Sequence, residues 1–201
     1  MSLDASPRLL VATTNPGKLR EIREMLAGVP VTLATLAHWP DLPAPEETGT
    51  TFSENARLKA DYYAAATGLP TVAEDSGLEI DALGGAPGIE SARFAGVEST
   101  YPEKFAIIYR QLADVPQDRW TARFVCALAF VDGGQPPFEA RGTIEGRIAT
   151  EPRGTGGFGY DPIFYYPPFG CTLAEAGARK GDVSHRAAAF AKLRAFLLAT
   201  R

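Results

Sequence analysis

Cysteine, histidine and methionine are scarce, at two each in 201 residues. Cys126 and Cys171 lack the paired short spacing of a zinc site, and two thiols make no disulfide framework. His38 and His185 stand alone, which excludes a histidine-rich metal centre. No apolar run reaches membrane-spanning length, and Leu9-Leu10-Val11-Ala12 is too short to be one. No signal-peptide pattern opens the sequence, so the expected location is cytoplasmic, with no membrane partner. A formal charge of −4 leaves no electrostatic footprint for nucleic acid. A polyanionic ligand would therefore need locally placed cations or a metal ion. Repeats, low-complexity segments and clear domain boundaries are also missing, and one domain over residues 1–201 is expected.

What the chain does have is concentrated in residues 71–94, TVAEDSGLEIDALGGAPGIESARF. An apolar strand, Thr71-Val72-Ala73, runs into two adjacent acids, Glu74 and Asp75, then Ser76 and Gly77. A second short β-like run around Leu78 and Ile80 leads to a glycine-proline turn over 84–88. Acids at the end of a buried strand are costly unless paired or metal-bound, so this reads as the floor of a site. An acidic surface hairpin is the alternative.

Upstream, residues 8–13 read as a strand, and a helix is expected from about Leu19 to Leu26. The turn between them, Thr13-Thr14-Asn15-Pro16-Gly17-Lys18, has the strand–turn–helix form of an anion site, with free backbone N–H groups, a helix dipole and a lysine. It is not a P-loop, because Ala12 and Leu19 stand where that motif needs glycine and Ser/Thr. An ordinary strand–helix connection is the bland reading. Residues 31–36 read as a second strand, and a proline-rich acidic loop over 37–50 carries Asp41, Glu46 and Glu47. Thr51 and Glu54 form a capping box for a helix from Phe52 to Thr67. Asn55 and Lys59 lie one turn apart on it, able to address one ligand or simply to face solvent.

Downstream, Pro102 suits the first turn of a helix running to about Leu112. Residues 119–131 and 138–149 read as a strand pair joined through Gly133-Gly134. The segment GTGGFGYDPIF, 154–164, interleaves glycines with Phe158 and Tyr160, whose rings could stack on a planar base, and Asp161 follows. A short helix is expected from Cys171 to Ala178, then Lys180, then a helix from Ser184 to about Leu198 with a core stripe of Phe190, Leu193 and Leu197. His185 and Arg186 fall in its first turn, where the dipole disfavours cations, which suggests a ligand role. Phosphate binders, acids able to hold a metal, aromatics and hydrogen-bond donors add up to a nucleoside triphosphate.

Five segments, ATTNPGKLREI, EETGTTFSENARLKA, AEDSGLEIDALGGAPGIESARF, GTGGFGYDPIF and SHR, together resemble the inosine triphosphate pyrophosphatase family, also called the Ham1-like pyrophosphatases of deaminated purine triphosphates. They stand in the family order and cover nearly the whole chain. Thr14, where glycine or asparagine is more usual, and Glu74, where many members carry aspartate, are the departures. The resemblance implies an α/β fold: an elongated, mixed, strongly bent sheet flanked by helices, in two lobes with a central cleft, in a homodimer. It implies Mg²⁺-dependent hydrolysis of ITP, dITP and XTP to monophosphate and pyrophosphate, clearing deaminated purines from the nucleotide pool. It makes Asp75 the general base and a metal ligand, Glu47 a second ligand and Glu74 a weaker candidate. Lys18, Lys59 and the turn Thr13, Thr14, Asn15, Pro16, Gly17 would hold the triphosphate, and Ser76 would touch substrate. Phe158, Gly159, Tyr160, Asp161, Lys180, His185 and Arg186 would form the base and sugar pocket. The competing readings are a Maf-like pyrophosphatase, against which the SHR and FGYD segments argue, a nucleotide sensor without turnover, and a phosphotransferase.

Overall fold

The structure is a computed structural model that describes residues 7–200. Seven strands form one mixed sheet: β1 (Arg8–Val11), β2 (Thr32–Thr35), β3 (Thr71–Ile80), β4 (Thr121–Val131), β5 (Phe138–Ile148), β6 (Phe164–Tyr166) and β7 (Cys171–Thr172). Their order is β2-β1-β3-β4-β5-β6-β7. β1 runs parallel to β2 and to β3, while β5–β6 and β6–β7 are antiparallel. The helices are α1 (Pro16–Met25), α2 (Phe52–Thr67), α3 (Tyr101–Gln111), α4 (Lys180–Val183) and α5 (His185–Ala199). None among the described residues is long and apolar enough to cross a membrane.

The chain divides into two compact units. The first comprises residues up to Asp75, Cys126–Gly142 and the chain from Ala187 onward; the second is Ser76–Val125 with Thr143–Arg186. The first has a core of Leu9 and Val11 on β1, Ile22 and Leu26 of α1, Val72 on β3, Cys126 and Leu128 on β4, and Phe190, Leu193 and Leu197 of α5. The expected α5 stripe is thus the face this unit buries. The second gathers Leu78 and Ile80 of β3, Phe105, Ile108 and Leu112 of α3, and Tyr160, Ile163 and Phe164. Spacings of three and four residues put the α3 and α5 contributions on one face of each helix.

Three sequence expectations are corrected. First, α1 starts at Pro16, not Leu19: Asn15 caps it by accepting from the Gly17 and Lys18 amides, with proline in the first turn. Second, residues 71–80 are one ten-residue strand, so Glu74 and Asp75 lie mid-strand rather than at a strand end. The strand continues through Gly77 because Ser91 Oγ closes in there and accepts from the Leu78 amide at 2.9 Å. Third, residues 171–178 are not a helix. Glu175 accepts from the Thr172 amide and hydroxyl, and Gly177 at φ +59° leads into a 3₁₀ turn before α4. The capping box of α2 and its left-handed Gly68 stop are as expected.

Two measurable consequences follow from the second unit. A methyl at Gly77 would lie 2.3 Å from Ser91 Oγ and 2.5 Å from the Gly88 carbonyl oxygen. Gly77→Ala should therefore cost about 1–3 kcal/mol in chemical denaturation, since backbone must shift to admit it. Asp81 is held below the usual carboxylate range by the Thr121 hydroxyl and the Arg123 guanidinium. A depressed carboxyl adds stability that is complete above its unfolded value and is lost as pH falls through its folded value. Asp81→Asn should lower stability at neutral pH by no more than about 0.2–1 kcal/mol, because the pair is solvent-screened. The gap should close in acid, read from melting curves across pH.

Candidate functional site

In the first unit, the capping box sets α2 so that Lys59 reaches two carboxylates. Its Nζ lies 2.9 Å from Asp75 Oδ1 and 3.0 Å from Glu47 Oε1. Glu47 comes from the loop before α2. That loop is tied down by Asn55 Oδ1, which accepts from the Gly49 amide at 2.8 Å, and by Glu54, which accepts from Thr50 and Thr51. Asn55 is buried, and its Nδ2 has no partner among the described residues. Burial would lower Lys59, but the two acids outweigh it and hold the ammonium protonated. Burial pushes Asp75 up, and one ammonium shared with Glu47 does not fully offset that. Two acids raise Lys59, while burial first and the charge of Glu47 second raise Asp75.

Asp75 Oδ2 is buried with no hydrogen-bond partner among the described residues. A hard oxygen donor left without a hydrogen bond beside a second carboxylate fits a hard cation such as Mg²⁺. The described residues hold no cluster of three or more His, Cys, Asp or Glu suited to a metal. Two carboxylates suffice for Mg²⁺, which keeps several waters and takes substrate phosphates as ligands.

Glu74 faces the other way, as consecutive strand residues must. It accepts from Lys18 Nζ at 2.7 Å and from the buried Cys126 thiol at 3.0 Å. So the weaker metal candidate is a partner of Lys18, the lysine expected to hold phosphate. The anion turn also differs from expectation. The Asn15 amide is bonded to Thr13 Oγ1, the Gly17 and Lys18 amides to Asn15 Oδ1, and Pro16 has no N–H. The turn therefore offers the helix dipole and Lys18 rather than a row of free amides. Thr14 and Pro16 are exposed, Thr13, Asn15 and Lys18 partly so, and Gly17 is buried.

In the second unit, Asp161 organises the glycine loop. Its Oδ2 accepts from Lys180 Nζ at 2.7 Å and from the Phe158 amide at 2.8 Å. A methyl on Gly157 would fall 2.0 Å from that oxygen, so only glycine fits there. Lys180 Nζ lies 4.7 Å and Arg186 Cζ 5.6 Å from the centroid of Phe158, placing two cations on that ring. Arg186, 1% exposed, donates to Ser76 Oγ at 3.0 Å. His185 stacks on Phe124, centroids 4.9 Å apart. Phe158 and Gly159 are partly exposed, whereas Tyr160 is buried and donates to the Ser91 carbonyl at 2.8 Å. Tyr160 is therefore an anchor of the core and not a stacking face. Lys180, expected as a donor to a base, is engaged by Asp161.

The first set thus unites Asp75, Glu47 and Lys59, with Lys18 on Glu74. The second unites Ser76, Phe158, Asp161, Lys180 and Arg186, with His185 on Phe124. Asp75 and Ser76 are consecutive on β3. Ser91, Tyr101, Phe124 and Cys126 support these groups without having stood out in the sequence. Only ESAR, downstream of the acids, could have drawn attention to Ser91, and the others read as ordinary core. Arg93, without an assigned role in the sequence, pairs with Glu90 at 2.5 Å.

A sequence model of the Ham1 family matches residues 9–196. The chain belongs to the Ham1 family. Similar Ham1-family sequences include the dITP/XTP pyrophosphatase of Geobacillus kaustophilus, 47% identical over 186 residues, covering 92% of this chain and 91% of that protein. The dITP/XTP pyrophosphatase of Geobacter sulfurreducens is also 47% identical, over 188 residues, with 93% and 94% covered. Among solved Ham1 structures, the protein of Coxiella burnetii superposes with a TM-score of 0.88 at 38% identity, covering 96% of this chain and 99% of that one. The Staphylococcus aureus Ham1 protein gives 0.87 at 35%, with 96% and 100% covered. These likenesses agree with the mixed α/β sheet flanked by helices.

The Lys59–Asp75 contact makes a direct prediction. Lys59→Met should destabilise by about 1–3 kcal/mol by leaving buried carboxylate oxygen unpaired. Lys59→Met with Asp75→Asn should cost less than the two single changes summed, because the partners share one interaction. Additive costs would deny the coupling.

Proposed function

We propose that this Ham1-family chain hydrolyses deaminated purine nucleoside triphosphates, ITP, dITP and XTP, to the monophosphate and pyrophosphate, cleansing the nucleotide pool. The observation that carries the reading is Asp75: a buried carboxylate, paired through one oxygen with a lysine that a second acid shares, and unpartnered at the other oxygen among the described residues. The names of the relatives point the same way. The protein is proposed to act as a cytoplasmic homodimer, each chain one catalytic domain, with Mg²⁺ as cofactor.

In this reading Asp75 takes a proton from water. The water oxygen bonds to the α-phosphorus, and the bond from that phosphorus to the α,β-bridging oxygen breaks. Pyrophosphate leaves with the bridging oxygen. A carboxyl raised by burial is a better base than an ordinary aspartate, and the Lys59 ammonium beside it favours its charged form. Lys59 and Lys18 oppose the phosphate charge, with the α1 dipole behind Lys18. Asp75 and Glu47 would hold Mg²⁺, which when bound supplies charge neutralisation on the phosphate oxygens. Ser76 is oriented by Arg186 as a substrate contact.

The base reading rests on donors. Lys180, His185 and Arg186 suit the oxygen that hypoxanthine and xanthine carry at C6. Adenine presents an amino group there and would leave those donors unpaired, a mismatch that discriminates strongly. Phe158, with Lys180 and Arg186 on its ring, supplies the wall of the pocket.

The test is a panel of triphosphates with Mg²⁺, scored for pyrophosphate against orthophosphate. Pyrophosphate from ITP, dITP and XTP, with ATP nearly inert, is the expected result. A preference for dTTP or UTP would sink the substrate assignment, and orthophosphate as product would sink the reaction. Asp75→Asn should lower kcat by about 10²–10⁴-fold while still binding ITP.

A further inference from the structure

α3 begins at Tyr101, fixed there because Thr100 donates to Glu103 through its amide at 2.7 Å and its hydroxyl at 2.8 Å. The Tyr101 ring meets Tyr160 edge-on, centroids 5.2 Å apart and planes at 88°. It also lies against the α-carbon of Gly159: a methyl added there would be 3.6 Å from Tyr101 Oη and 3.7 Å from Cζ. Lys104, one turn on and itself buried, places its Nζ 5.0 Å from the Tyr101 centroid and donates to the Ala92 carbonyl at 2.5 Å. The neighbouring Ser91 carbonyl accepts from Tyr160. So the loop Phe158–Asp161 is pinned through Ser91 and covered at Gly159 and Tyr160 by Tyr101. With 37% of its surface still exposed, Tyr101 is one of the few large apolar side chains left open to solvent among the described residues.

We propose that Tyr101 is a positioning residue for base recognition: its ring holds Gly159 and Tyr160, and thereby sets Phe158 and Asp161, which carry the ring and the Lys180 partner of the base pocket. This rests on reading residues 158–161 as the base loop. Glycine at 159 has φ +70° and no side chain of its own, so its placement depends on what packs against it. An aromatic edge-to-face contact provides a flat, directional surface that an aliphatic side chain does not. Tyr101 belongs to the same unit as residues 158–161, so the effect is assigned to the base end of the substrate and not to the phosphates.

The experiment compares Tyr101→Ala, Tyr101→Leu and Tyr101→Phe with the parent. It measures KM and kcat for ITP, and inhibition by inorganic tripolyphosphate, a probe with phosphates and no base. Tyr101→Ala should raise KM for ITP about tenfold, as small misplacements of a recognition group do. Its kcat should stay within about twofold, the pattern of lost binding shared by ground and transition states. The tripolyphosphate inhibition constant should not move. Tyr101→Phe should restore KM, and Tyr101→Leu, which keeps bulk on the helix but not the ring, should fall between. An unchanged KM in Tyr101→Ala, or a tripolyphosphate constant that rises in step with KM, would overturn the proposal alone. A parent that releases no pyrophosphate from ITP would overturn the functional reading, and the proposal with it.

Discussion

Lys59 Nζ lies 2.9 Å from Asp75 and 3.0 Å from Glu47, and the rest of the first unit depends on that contact. A carboxylate in the middle of a strand flanked by buried residues is costly unless a cation meets it. The cation needs an anchored helix, which the capping box at Thr51–Glu54 provides. The second acid needs an anchored loop, which Asn55 provides through the Gly49 amide. The balance is uneven: two acids meet at the Lys59 ammonium, and burial raises Asp75 further than that ammonium lowers it. A balanced pair would be a structural ion pair. An unbalanced one leaves an oxygen that a proton or a cation can use.

The second unit solves a different problem by the same means. Lys180, Arg186 and His185 are buried, and each has a defined neighbour: the Asp161 carboxylate, the Ser76 hydroxyl and the Phe124 ring. Held this way, long side chains lose their rotamer freedom on folding and not on binding, which lowers the entropic cost of recognition. The glycines of 154–159 make that packing sterically possible. Methyls at 154 and 156 would meet the Ala174 backbone within 3 Å, and one at 157 would meet Asp161. They are demanded by close approach, so the loop is glycine-rich without being loose.

The identity of the groups was legible in the sequence, and their partnerships were not. Composition and spacing pointed to Glu74 and Asp75 together, Lys59, Lys18 and the FGYD loop, because charge, glycine and turn chemistry are written in residue types; the choice of Asp75 came from the family resemblance. The capping box of α2 was legible because it is local, its two residues three apart. What stayed hidden required tertiary contact. That Asn15 consumes the amides of its own turn, that Tyr160 points into the core toward Ser91, and that Lys180 is tied to Asp161 nineteen positions away are facts of packing. The break assumed after Asp75 failed for a related reason. Ser-Gly reads locally as a turn, but Ser91 supplies the Leu78 amide with an acceptor and the strand runs on.

That continuity settles how two adjacent acids come to differ. Had Glu74 and Asp75 ended a strand, both could have turned toward one ligand, and neither would have been assignable. Within a continuous strand their side chains must point to opposite faces. Glu74 goes to Lys18 and the Cys126 thiol, a fully engaged and buried group. Asp75 goes to Lys59 and keeps one buried oxygen unpartnered among the described residues. In the proposed function Glu74 would act on substrate only through the lysine it holds, and its extra methylene over aspartate would bear on where that ammonium sits rather than on a metal. The distinction proposed between base and support would therefore be imposed by strand geometry on two residues whose chemistry is otherwise the same.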